Sequence, residues 1–248
     1  MKKYQRHSRL DIAIHWFNAV LWILLMFTGL ALFKPELSPL GGWYPQAVRS
    51  LTGGGGNLLL IHEILGGLWI MGLLFYLIRN FRGARFFLRR VFTVDLPRDV
   101  SWMFKKMVLM TLGEKPLRAL GMNPELPPQG FYNMGQKAFA QAAVFGGLGL
   151  AVTGLIMVWS QFGFSAETTI VVSWAILLHW IFAALTFAGL LVHVYMAAIS
   201  PEERPGFRSM FTGWVPEDYA AHHHALWHEE IRHLPAGEDG VVPQRLDD

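Results

Sequence analysis

No cysteine occurs anywhere in this 248-residue chain. That absence excludes disulfides, thiolate zinc sites, iron–sulfur clusters and the C-x-x-C-H attachment of c-type haem within the chain. Charge is scarce as well: 16% of residues are Asp, Glu, Lys or Arg, against 53% hydrophobic and 14% aromatic. That balance describes an all-α integral membrane protein and not a soluble domain. The net charge of +3 does not point to nucleic acid, because the basic residues flank apolar runs and form no recognition helix or groove.

Four apolar runs are long enough to cross a hydrocarbon core of about 30 Å as helices, at about 12–33, 58–78, 138–160 and 169–200. They predict a four-transmembrane-helix bundle forming a single transmembrane domain over residues 1–248. The basic leader MKKYQRHSRLD resembles the start of a signal peptide, but the run behind it is too long and no A-x-A-like site closes it. It reads as a retained first span. Residues 34–57 hold Pro35, Pro39, Pro45, the Trp43–Tyr44 pair and four consecutive glycines, and read as an irregular interfacial loop. No Gly-Lys-Ser/Thr follows Gly53–Gly56, so a phosphate-cradling loop is discounted.

Between the second and third spans lies a long polar interval in which 98–112 has the mixed spacing of a surface helix, while Pro124, Pro127 and Pro128 keep 123–130 extended. The glycine-rich third span, with Gly146, Gly147, Gly149 and Gly154, reads as closely packed scaffold, with Gln141 unexplained. Lys and Arg number four in residues 1–11, nine in 80–136 and four in 201–248, whereas 34–57 carries only Lys34 and Arg49 and 161–168 carries none. The positive-inside bias therefore places both termini in the cytoplasm.

The fourth run contains His179 and His193. A separation of fourteen residues is close to four helical turns, so the rings point the same way within about 40° and lie roughly 21 Å apart along the axis. With both termini inside, His15 and His193 fall near the cytoplasmic face, and His62 and His179 on the outer side. Each pair suits the two axial positions of a haem iron, leaving none for oxygen, so that such a chain is an electron conductor. A lone intramembrane histidine is more often a hydrogen-bonded core residue; two in register with further histidines on other spans weigh against that reading here. Within the outer pair His179 lies several residues deeper than His62, a difference that helix tilt absorbs. Gly66, one turn beyond His62, either admits a flat macrocycle or serves helix packing. Glu63 belongs to a proton path or is an acid in a helix's first turn. His7 lies in the leader, and His222, His223 and His224 form either a metal site or part of a solvated or partner-facing tail.

The segments RHSRLDIAIHW, FYNMGQK, LLHWIFAALTFAGLLVHVYMA and AAHHHALWHEEI, in that order, resemble the cytochrome b (gamma) subunit of membrane-bound respiratory formate dehydrogenase. The resemblance covers most of the chain. It implies two b-type haems with axial ligands His15 and His193 on the cytoplasmic side and His62 and His179 on the periplasmic side. It also implies a site for menaquinone or another quinone at Asn133, Gly135 and Gln136 with His193. From the residues alone, the FYNMGQK amides either bind a quinone carbonyl or cap the third span. The implied partners are an Fe–S electron-transfer subunit and a molybdenum- or tungsten-containing catalytic subunit, in the bacterial inner membrane. The polar interval and the tail are longer than in that family's pattern. Two rival readings stand: the same cytochrome serving a hydrogenase or thiosulfate-type enzyme, and a metal or proton transporter whose histidines converge at one depth.

Overall fold

The computed structural model describes residues 2–162, 166–237 and 241–242. Its elements, in chain order, are β1 (Lys3–Gln5), α1 (Arg9–Leu32), α2 (Trp43–Thr52), α3 (Gly55–Arg79), α4 (Phe81–Phe92), α5 (Leu96–Thr111), α6 (Lys115–Ala119), α7 (Met134–Ser160), α8 (Ala166–Val194), α9 (Arg204–Thr212), β2 (Trp214–Pro216), α10 (Glu217–His223), α11 (Ala225–Ile231) and β3 (Val241–Val242). Helices α1, α3, α7 and α8 are the four apolar runs, and each is long and apolar enough to cross a membrane. Only 6–17% of each span's most apolar window is buried by protein. Their side chains therefore face outward, as lipid-solvated helices do; within lipid a helix satisfies its own backbone groups. The turn joining the third and fourth spans lies partly outside the described residues, at 163–165.

The chain divides into two compact units, each discontinuous in sequence. One comprises residues 10–81 and 143–191, the body of the four spans. Its helices touch where side chains vanish. A Cβ on Gly146 would collide with Thr186, one on Gly149 with Phe182, and one on Gly72 with Phe17, so the glycines of the third span are scaffold as expected. Asn18 accepts a hydrogen bond from the Trp69 indole at 2.6 Å, tying α1 to α3.

Residues 43–52 form a helix, correcting the expected irregular loop. Pro45 sits in its first turn, where a missing N–H costs nothing. Gly53, at φ +78°, ends it in the left-handed conformation that favours glycine. The Arg49 guanidinium donates to the Leu32 and Phe33 carbonyls at 3.2 and 2.8 Å, closing the end of α1. Two of the four glycines thus belong to a helix stop and the next two to the start of α3.

The other unit gathers residues 1–9, 82–142 and 192–248, most of it from the three polar stretches rich in Lys and Arg. A small sheet of order β2-β1-β3 joins the first of these stretches to the last, with β1 antiparallel to β2 and parallel to β3. Behind it, Tyr4, Phe86, Phe131, Val215, Tyr219, Trp227 and Ile231 form one apolar cluster. Among the described residues the tail is folded, which corrects the solvated reading for one member of the histidine cluster: His224 is fully buried, whereas His222 is exposed. Its imidazole contacts the Gly130 carbonyl at 2.9 Å, with the ring N–H as donor. Gln141 is explained too, since its amide donates to the Val91 carbonyl at 2.8 Å and closes the end of α4.

Burial, then the neighbouring Arg6 charge, holds the His224 imidazole well below its ordinary value. Folded protein therefore keeps this ring neutral, whereas the unfolded chain takes up a proton below about pH 6.5. Stability contributed at neutral pH must fall as pH drops through that value. The Asp99 and Glu203 carboxylates are held below their ordinary values, so their losses begin only below about pH 4.5. Thermal unfolding of this unit should move to lower temperature between pH 7.5 and 5.5, and His224→Gln should remove most of that slope. An unchanged slope in the variant would assign the effect to another group.

Candidate functional site

His62 and His179 come together inside the bundle. His62 is the eighth residue of α3, deeper than expected because that helix starts at Gly55. Its ring centre lies 6.4 Å from that of His179, with the planes at 70°. The earlier start also corrects the reading of Glu63, which is beyond the first turn; its carboxylate accepts a hydrogen bond from Gln161.

Each ring is fastened by the helix preceding its own in the span order. His62 Nδ1 lies 2.8 Å from Thr28 Oγ1 on α1, and His179 Nδ1 lies 2.8 Å from Thr153 Oγ1 on α7. Beside each threonine is a glycine where a Cβ would stand against the same imidazole, 3.3 Å from His62 Cε1 at Gly29 and 3.5 Å from His179 Cε1 at Gly154. The tripeptide Thr-Gly-Leu recurs at 28–30 and 153–155. That repeat is the one sequence signal that could have pointed to these residues, which the reading of the sequence missed.

Two facing imidazoles are too few to hold a bare transition metal, and among the described residues no group of three or more His, Cys, Asp or Glu converges. They fit an iron whose remaining positions are filled by a macrocycle. Two metal–imidazole bonds of about 2 Å each place the ring centres about 6 Å apart, the separation seen. A Cβ at Gly66 or Gly67 would have no neighbour within 4 Å, which leaves the His62 helix smooth enough for a flat group to approach.

His15, in α1 of the bundle unit, is half-buried and packs edge-on against Trp16 at 5.2 Å. His193 belongs to the other unit, in the last turn of α8, just before a single turn of π-helix at Tyr195–Ile199. It stacks face to face on Phe139, at 4.3 Å between centres and 4° between planes. Phe139 is one turn beyond Gln136, so His193 lies beside the start of α7.

That start is built by the FYNMGQK segment. Asn133 Oδ1 accepts from the Gln136 N–H at 2.9 Å, and Gln136 Oε1 accepts from the Asn133 N–H at 3.1 Å. This is a reciprocal capping box. Gln129 Oε1 accepts from the Met134 N–H at 2.9 Å, and a Cβ at Gly135 would stand 3.3 Å from Asn133 Oδ1 and 3.5 Å from the Trp102 ring. Both amide oxygens are thus committed to the cap, and the NH2 groups are the donors with which these side chains would meet a carbonyl. Beneath the cap, the Lys137 ammonium donates to Asp99 at 2.8 Å, with both side chains buried. Burial raises the Asp99 carboxyl, but the bonds from Lys137 and the Asp95 N–H outweigh it and hold it below the usual carboxylate value.

An apolar four-helix body with paired imidazoles suited to a macrocyclic iron defines a class: membrane proteins of the cytochrome b type. The chain belongs to the prokaryotic cytochrome b561 family, whose model matches residues 6–213; membership implies haem b. It is 29% identical over 228 residues to the formate dehydrogenase cytochrome b556 subunit of Haemophilus influenzae, covering 91% of this chain and 82% of that one. The cytochrome b556(fdo) subunit of Escherichia coli formate dehydrogenase is 26% identical over 218 residues, 88% of each chain. The cytochrome b556(Fdn) subunit of the nitrate-inducible E. coli formate dehydrogenase is 23% identical over 243 residues, 97% of this chain and 98% of that one.

Proposed function

We propose that this chain is the cytochrome b membrane subunit of a formate dehydrogenase. It would hold two haem b groups and deliver electrons to menaquinone or another quinone on the cytoplasmic side of a bacterial inner membrane. The observation that carries the reading is the meeting of His62 and His179 at haem-ligand separation, each with its second ring nitrogen tied to a threonine. These two would bind the periplasmic-side haem. The assignment of His15 and His193 to the cytoplasmic-side haem rests on their matched depths in the sequence and on the family.

Two imidazoles would hold the haem, and a group so held would supply one-electron exchange. The chain's own residues orient the ligands and keep water away within an apolar body. For the quinone, His193 stacks on the residue one turn beyond Gln136, which favours a site at Asn133, Gly135 and Gln136 with His193, the amide NH2 groups donating to a quinone carbonyl. Without cysteine the chain holds no iron–sulfur cluster, so electrons would arrive from an Fe–S subunit serving a molybdenum- or tungsten-containing catalytic subunit.

Formate added anaerobically to membranes carrying the intact complex should bring up the absorption bands of reduced b haem, and an oxidised menaquinone analogue should discharge them, while deletion of this chain leaves formate oxidation with an artificial acceptor intact. Haem that answers to hydrogen or thiosulfate and not to formate would assign the chain to a different respiratory enzyme.

A further inference from the structure

The two outer-side imidazoles are held by matching devices, and the devices have a direction. A threonine hydroxyl has one proton and two lone pairs. Thr28 Oγ1 spends its proton on its own helix, donating to the Leu24 carbonyl at 2.8 Å; Thr153 Oγ1 does the same to the Gly149 carbonyl at 2.6 Å. With that proton so placed, both hydroxyls accept toward the histidines, which puts the imidazole proton on Nδ1 of His62 and of His179. A neutral imidazole protonated at Nδ1 carries its lone pair on Nε2.

We infer that Thr28 and Thr153 are positioning residues that fix His62 and His179 as Nδ1–H tautomers with Nε2 presented for iron, and that the repeated Thr-Gly-Leu tripeptide is the unit that does so. The inference rests on the haem reading and deepens it. Each unit grips its ring twice. The hydroxyl sets the tautomer, and the adjoining glycine lets the imidazole edge approach the helix, with less room to spare at Gly29 than at Gly154. One unit lies on the first span and acts on the second; the other lies on the third and acts on the fourth. Two helical hairpins thus contribute one equipped ligand each. An acceptor on Nδ1–H also makes Nε2 more basic and favours ferric over ferrous iron.

The test is Thr28→Val and Thr153→Val, alone and together, in the intact complex, with Thr→Ser at each position as the rescue. Valine keeps the shape and removes the hydroxyl. The double valine variant should release one of its two haems about 10–100-fold more readily to a haem scavenger. The outer haem should also become easier to reduce; a tenfold change in the ferric-to-ferrous preference is 59 mV upward. Serine at both sites should restore both properties. If the double variant does not assemble, the two single variants carry the same comparison, each with one grip remaining. Haem retention and potential unchanged in every valine variant, while His62→Ala still loses one haem, overturns this inference and leaves the haem reading standing. Two haems retained in His62→Ala itself overturns the haem reading.

Discussion

Replacing His62 and His179 together with alanine removes one haem per chain, the same loss as either replacement alone. Replacing His179 and His193 together removes both. The asymmetry follows from pairing. His62 and His179 face each other at 6.4 Å, so on the proposed reading one iron would lose its hold when either ring goes, and the second deletion would find nothing further to remove. His193 is fourteen residues further along the same chain, roughly 21 Å along a helix axis, and on the proposed reading would serve a separate iron. Haem extraction and quantification against protein, done on all four variants, reads the pattern directly. Loss of two haems in His62→Ala/His179→Ala would mean that the rings are divided between two irons.

The second large effect is on stability. Asp99→Ala leaves the Lys137 ammonium buried with the Thr93 carbonyl at 2.9 Å as its other hydrogen-bond partner. An uncompensated buried charge costs about 3–5 kcal/mol. Thermal unfolding of the unit that holds this pair should fall by on the order of 10 °C. Lys137→Met is the milder change, because Asp99 keeps the Asp95 N–H at 3.1 Å and the Arg98 side chain at 3.3 Å. The double variant Asp99→Ala/Lys137→Met should recover most of the loss, since no charge is left unpaired. Melting curves of the three variants, followed by circular dichroism, give the cycle. A double variant as unstable as Asp99→Ala would place the cost in lost packing and not in the charge.

The membrane spans were legible because lipid leaves the chain so little choice. A run of some twenty apolar residues must satisfy its backbone internally, and hydropathy alone located all four helices to within a few residues. The fourteen-residue interval between His179 and His193 was readable for the same reason, as a helix converts spacing into direction. The polar unit was not readable in this way. Its sheet joins Lys3–Gln5 to Trp214–Pro216 and Val241–Val242, strands of two or three residues with no periodicity to display and with partners some 200 residues distant. Burial of His224 under Arg6 and Trp227 follows from that closure and leaves no local trace. Helix α2 was hidden by Pro45 and the flanking glycines, which look like loop signals until the helix is seen to lie between them.

Within the candidate site, the histidines announced themselves as polar rings in apolar runs. Thr28 and Thr153 did not, because threonine in a membrane helix ordinarily satisfies itself on the carbonyl four residues back, as both do here. Only the second use of each hydroxyl, toward a neighbouring helix, gives them a role. The FYNMGQK amides show the reverse. Their polarity at the mouth of a span invited a ligand, and the fold first uses their oxygens to cap α7.

The most direct test is a reduced-minus-oxidised absorption spectrum of the purified chain, taken with a count of extractable haem. Two b-type haems per chain, both six-coordinate and low-spin, are the expected result. Colourless protein, or metal bound without porphyrin, would contradict it and leave a four-helix membrane protein with paired histidines serving some other cargo.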